Sequence, residues 1–195
     1  MKKLPKKVGE EKIVFQGKMM EVANQEYKAG DYTYTLEFVR RAPGVRLIIK
    51  ALNNKFLIAK EFRTEFDGWD YRLPGGKVFD SLAEYNDFLK KGEDIQEAAR
   101  KAAVKEAEEE MGIILKDFTF FATSKCGVTV EWDLHYFVVE KYENHPNGQN
   151  MEPDENIEIQ EVTPKELKDI CLGGEMKEDR SAAMLIKYLH KTNKL

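Results

Sequence analysis

Polar and apolar positions alternate through the N-terminal stretch and then change period. Over residues 12–40, KIVFQGKMMEVANQEY carries a glycine at a turn, and DYTYTLEFVRR is β-branched, aromatic and roughly alternating, so short strands are expected. VRLIIKAL and KFLIAKEFR predict two further strands joined by a turn at Asn53-Asn54. YRLPGGKV ends a strand in a Pro-Gly-Gly turn. Residues 81–91 predict a short amphipathic helix, with Leu82, Tyr85 and Leu89 near i, i+3, i+7. Residues 94–111 form the best helical segment of the chain. DFTFFATS and VEWDLHYFVVEKY read as strands, residues 143–156 as a polar loop, and IEIQEV as a last strand. Thr163 caps a helix that begins at Pro164, where proline is favoured, and a C-terminal helix runs from about Ser181 to His190. Strands and helices mixed in this order predict an α/β or α+β sandwich.

The segment KEAEEEMGI, residues 105–113, departs from ordinary helix chemistry. It sets glutamates at the end of a helix, where the macrodipole is already negative. With a rotation of about 100° per residue, Glu109 lies near −60° and Glu110 near +40° from Glu106, so three carboxylates share a face and Glu108 points away. Like charges at these spacings cost roughly 0.2–0.5 kcal/mol per pair in an isolated helix. One reading is a solvated acidic face relieved by Lys101 and Lys105. The other is a site for a hard divalent cation: oxygen ligands without His or Cys suit Mg²⁺ or Mn²⁺. Ala98, Ala99, Ala102, Ala103 and Ala107 let the same helix pack closely.

Composition narrows the classes. The 195 residues suffice for one sizeable domain, and 42% hydrophobic with 34% charged residues is ordinary for a globular protein. A net charge of −4 gives no electrostatic reason for nucleic acid as main partner. The basic MKKLPKK start has no apolar stretch behind it, and no run reaches a transmembrane length. Cys126 and Cys171 are far apart and in no metal-ligand spacing, so a reduced cytoplasmic protein is expected.

Together LPGG, with Gly76, and KEAEEEMGI, with Glu106, Glu109, Glu110 and Gly112, resemble the Nudix hydrolase box, G-x5-E-x7-R-E-U-x-E-E-x-G-U with U aliphatic. Lys105 stands in the place of the family arginine, keeping charge but not the planar fork, and Ala107 in the place of a larger aliphatic. An insertion at about 79–92 stretches the box, so either Glu93 or Glu97 matches its first glutamate. The insertion is a lid or a surface decoration. EFVRRAPGVRLII, EFR before the box, SKCGVTVEW after it, DENIEI and GGEMKEDRSAAMLI resemble, in order, the ADP-ribose pyrophosphatase branch.

That resemblance implies a Nudix-type α/β/α sandwich with a mixed sheet over residues 43–195. It implies an N-terminal β-rich segment, 1–42, that helps form a homodimer. The activity implied is Mg²⁺-dependent (Mn²⁺ possible) hydrolysis of ADP-ribose or an ADP-sugar to AMP and a sugar phosphate. The carbonyl of Gly75 with Glu106, Glu109 and Glu110 would hold metal. Glu152 or Glu155 would be the base, Glu131 a second candidate, and Arg40 and Arg63 would contact phosphate. Aromatics such as Phe15, Tyr34, Phe38 and Trp69 are candidates to stack on adenine, although strand aromatics are more often core. His135 reads as a satisfied, partly buried residue. Non-standard nucleoside triphosphates or GDP-sugars are the alternative substrates. A non-catalytic ADP-ribose sensor is the rival from another class, but no basic recognition helix follows the box.

Overall fold

A computed structural model describes residues 3–153 and 155–194. The first two residues of the basic start, Asp154 of DENIEI and the terminal Leu195 lie outside the described residues. The chain divides into two compact units.

The first unit takes residues 1–44, 77–94 and 125–134. Strands β1 (Lys6–Gln16), β2 (Met20–Ala29) and β3 (Tyr32–Arg41) pair antiparallel in that order. The short β8 (Val130–Glu131) then joins β3 in parallel, with Arg40 opposite Glu131. The expected helix of the insertion is α1 (Leu82–Lys91). Ser81 caps it by accepting the Glu84 amide, and Gly92 ends it in the left-handed conformation. Leu82 and Phe88 are its buried residues, Phe88 resting 5.0 Å from the ring of Phe79, whereas Leu89 is 48% exposed. Leu82 and Tyr85, which lies 5.4 Å from the Phe79 ring, are on the expected face, and Phe88 takes the place expected of Leu89 because Phe79 gives it an aromatic partner outside the helix.

The second unit takes residues 45–76, 95–124 and 135–195. Its sheet runs β10 (Ile157–Val162), β5 (Phe56–Arg63), β4 (Gly44–Lys50), β9 (Leu134–Asn144), β7 (Ile113–Ser124), and β6 (Gly68–Arg72) pairs β5. β4 is buried along all but its last residue and β9 over its first six, which is why both read as continuous apolar runs rather than alternating ones. Leu47, Ile49, Ile58, Tyr136 and Phe137 are almost wholly buried. VEWDLHYFVVEKY is broken at Trp132-Asp133 into β8 and β9, which belong to different sheets.

Helix α2 (Ile95–Met111) contacts β7 and buries Ala99, Ala103 and Ala107, an i, i+4 stripe with no exposed surface. Its alanines favour the helix and admit close approach. Gly112 ends it at φ +59°. Glu97 lies in its first turn and Glu93 lies before it, so of the two only Glu97 is carried on the acidic helix. Thr163 and Glu166 form a capping box on α3 (Pro164–Gly173), which packs on α4 (Asp179–Lys191). No helix among the described residues is long and apolar enough to cross a membrane.

Candidate active site

The acidic end of α2 meets the Pro74-Gly75-Gly76 turn. Glu110 is 9% exposed, and its Oε2 accepts the Gly75 amide at 2.6 Å. Glu106 lies against Gly76: a β-carbon there would fall 2.3 Å from Glu106 Oε1. Gly75 has another reason to be glycine. Its φ is +134°, and a β-carbon would fall 2.3 Å from the Val45 carbonyl oxygen.

Strand β4 holds this turn by three consecutive residues. The amides of Val45 and Leu47 donate to the carbonyls of Gly76 and Pro74, both at 2.9 Å. Between them the side chain of Arg46 donates through Nη1 to the Gly75 carbonyl, also at 2.9 Å. The carbonyl expected as a metal ligand thus already accepts one hydrogen bond, with a second lone pair remaining.

The carboxylates are electrostatically crowded. Burial, and then the charge of Glu109, raise the Glu106 carboxyl to about 7. Burial, and then the charge of Glu106, raise Glu110 to about 8, against the pull of the Gly75 amide and Arg46. Glu109 is relieved by Lys105, 3.6 Å away one turn back. Lys105 thus keeps a charge-pairing role in the place of the family arginine.

The polar loop after β9 closes the end of α2. The His145 amide donates to the Gly112 carbonyl at 2.7 Å, and the Asn150 amide to that of Glu109 at 2.9 Å. The Gln149 side chain donates to the Glu110 carbonyl at 2.6 Å. These bonds satisfy carbonyls that a helix end leaves unpaired. The same loop carries Glu152 and Glu155, whose carboxylate accepts the Glu152 amide at 2.9 Å. Glu155 adds to the upward shift of both Glu106 and Glu110.

The other candidates are engaged within their own units. Arg63 pairs with Glu61 and Glu65. Arg40 holds Glu11 through both terminal nitrogens, Glu21 at 2.9 Å and Glu131 at 2.7 Å. It borders a cavity of about 630 Å³ that is also lined by Tyr85, Glu131 and Asp133. Phe38 is buried, whereas Phe15 and Trp69 are exposed and Tyr34 stacks between Tyr27 and Tyr32. His135 is buried more deeply than the expected partly buried residue, and its Nδ1 lies 3.0 Å from Thr123 Oγ1.

Among the described residues no three His, Cys, Asp or Glu side chains are drawn together in a cation-holding cluster. The donor chemistry nevertheless fits a hard divalent cation. Glu106 and Glu110 offer only oxygen, and their upward shift marks a deficit of positive charge that such an ion would fill. Sequence reasoning missed Arg46, Gln149, Asn150 and Glu178. Their single available signal was an arginine inside the otherwise apolar run VRLII.

The chain matches the NUDIX domain over residues 40–181. It is 26% identical to the ADP-ribose pyrophosphatase of Bacillus subtilis (strain 168), across 97% of this chain and 95% of that protein. Among solved structures it resembles an ADP compounds hydrolase with a TM-score of 0.70 over 98% of this chain and 97% of the other. At 14% identity that second likeness bears on the fold.

Proposed function

The chain belongs to the Nudix family, and from that premise we propose that it hydrolyses the pyrophosphate of ADP-ribose or an ADP-sugar, releasing AMP and a sugar phosphate. The observation that carries the reading is the pair Glu106 and Glu110, buried against the Pro-Gly-Gly turn with carboxyls raised to about 7 and about 8. Paired desolvated carboxylates without their cation are a costly arrangement for a non-catalytic fold to keep. The likeness to the B. subtilis ADP-ribose pyrophosphatase, which extends over nearly the whole of both chains, supports the substrate.

Glu106, Glu109, Glu110 and the remaining lone pair of the Gly75 carbonyl would hold the metal, Mg²⁺ or Mn²⁺. When bound, that ion neutralises the pyrophosphate charge and orients an in-line displacement. The turn keeps Glu110 aimed through the Gly75 amide, and Lys105 pairs with Glu109. Glu155 is the proposed base and takes the proton of the attacking water on its carboxylate. Its charge is among the largest felt by both Glu106 and Glu110, which supports it as the base. Arg63 would contact phosphate by exchanging its carboxylate partners. Arg40 would contact phosphate within its own unit by the same exchange, with Glu131 among the partners it would release. Strand β1 is the proposed seam of a homodimer.

The test is AMP release from ADP-ribose by the purified protein with Mg²⁺, beside Glu109→Gln and Glu155→Gln. Release by the parent and a loss of at least about a hundredfold in either variant is expected, the scale on which general acid–base groups act. Cleavage of other nucleotides but not ADP-ribose would sink the substrate. ADP-ribose binding without cleavage of anything would sink the enzyme reading.

A further inference from the structure

We infer that Arg46, with Glu178 as its counter-ion, is a positioning residue that fixes the Gly75–Gly76 peptide plane of the turn and so locks the glycine whose amide holds the carboxylate of Glu110. The inference deepens the proposed site and rests on it for its catalytic consequence.

Arg46 is 6% exposed and lies between Val45 and Leu47, both fully buried. Its guanidinium is engaged on two sides. Nε and Nη2 reach Glu178 Oε2 and Oε1 at 3.1 and 3.3 Å, while Nη1 donates to the carbonyls of Val45 and Gly75, both at 2.9 Å. Glu178 is itself fixed: Ser181 Oγ donates to its Oε2 at 2.6 Å and lies 3.3 Å from the hydroxyl of Tyr136. The residue before Glu178 is tied as well, with the Lys177 amide donating to buried Asp70 at 2.8 Å. Burial pushes the Glu178 carboxyl up, but the charge and hydrogen bonds of Arg46 and the Ser181 bond outweigh it, and the group stays ionised below the usual range. The C-terminal segment EMKEDRS thereby connects to the turn through one side chain.

Stability alone does not explain this pair. Exchanging a buried ion pair for well-packed apolar residues is often neutral or stabilising, and apart from Arg46 the buried part of this strand is already apolar. What an apolar side chain lacks is direction. The guanidinium is planar and offers several donors in fixed positions. Fixed by Glu178, it has one nitrogen left to pin the Gly75 carbonyl. The flanking carbonyls of Pro74 and Gly76 are held by backbone amides of Val45 and Leu47, so Gly75 is the one peptide of the turn whose carbonyl depends on a side chain. Gly75 at φ +134° is also the residue with least steric restraint. Its amide makes the 2.6 Å bond to Glu110. The Gly75 amide shares its peptide plane with the Pro74 carbonyl, which Leu47 holds. Arg46 holds the next plane through the Gly75 carbonyl, so that with both planes fixed the glycine between them cannot rotate and carry the amide away from Glu110.

The test follows the Gly75 amide directly. The chain has two Pro-Gly pairs, Pro43-Gly44 and Pro74-Gly75. Labelling proline carbonyl carbon with ¹³C and glycine nitrogen with ¹⁵N therefore leaves two amide signals, and Glu110→Gln identifies that of Gly75. Gly44, whose amide donates to Asp133 at 2.9 Å, serves as the internal reference. The variants are Arg46→Lys and the double variant Arg46→Met with Glu178→Leu. The double change leaves no lone buried charge, and thermal unfolding checks that it folds. In both variants the Gly75 signal should move upfield and lose hydrogen-exchange protection while that of Gly44 stays. The kcat for ADP-ribose should fall about 10- to 100-fold, as for partners that orient metal ligands, with KM nearly unchanged. A folded double variant with an unchanged Gly75 signal overturns the inference. So does an Arg46→Lys protein with the parent's signal, since charge without the fork would then suffice. A parent that cleaves nothing overturns the proposed function instead, and the Gly75 signal still decides the role of Arg46.

Discussion

Gly75 and Gly76 are neighbours in one turn, yet a methyl group would meet different things at each. At Gly76 it would strike the far end of the Glu106 side chain, which can swing away. Gly76→Ala should therefore fold normally by circular dichroism while losing at least about tenfold in kcat, because the displaced carboxylate leaves the position that metal-orienting partners maintain. At Gly75 it would strike backbone, in a conformation other residues adopt at about 1–3 kcal/mol. Gly75→Ala should lower the urea midpoint by an amount that reflects at least that cost, and an unchanged midpoint would count against the strain. The three glutamates on one face were legible from helical rotation alone. The bond between Gly75 and Glu110, 35 residues apart, was not, because it depends on how the turn lies along β4. The aim of Arg46 was hidden for the same reason: alternation along a strand does not say what an inward arginine meets.

Elements explain why the acidic end of α2 is tolerated. Its carbonyls are taken by His145, Gln149 and Asn150. Its buried face is alanine, whose small side chain lets the helix lie close on β7. The period of alanines and the stop at Gly112 were readable; the closing loop was readable only as polar. The strand predicted over VEWDLHYFVVEKY splits because Val130–Glu131 pairs in parallel with β3, a long-range choice that local propensity does not encode. At the other end of the chain, β1 pairs among the described residues only with β2 and is exposed along nearly its whole length, with Ile13, Val14 and Phe15 each about half exposed. Lysines and a register shift blunt the first half of this edge, which leaves the short apolar run Ile13–Phe15 as the part that another strand could cover. Light scattering should give a dimer for the parent. Val14→Lys with Phe15→Lys should shift it toward monomer with thermal stability otherwise retained; a dimer indifferent to both changes would place the seam elsewhere.

For the molecule as a whole, the raised carboxyls couple stability to pH and to metal. Glu106 and Glu110 titrate at about 7 and about 8 when folded, against 4.5 ordinarily, so folding takes up protons between those values. Their contribution to stability is full below about pH 4.5 and is lost as pH rises through 7 and 8. With chelator present, the thermal midpoint should fall between about pH 5 and pH 8.5. Added Mg²⁺ should restore it at the upper pH and do little at the lower, where protons hold the ligand oxygens. A midpoint flat in pH, or blind to Mg²⁺ near pH 8.5, would remove the carboxylate pair as a metal site. The contact between Gly76 and Glu106 has a different bearing on the history of such a molecule. Between these residues the chain detours through all of α1. Loop closure grows only with the logarithm of length, about 0.6 kcal/mol for each doubling. The interval is thus a nearly neutral dimension for evolution: whole elements can be gained, lost or exchanged there while the touching atoms stay under selection. Ancestry in such chains is kept by proximity in space, and a fixed count of intervening residues will overlook relatives that share the chemistry.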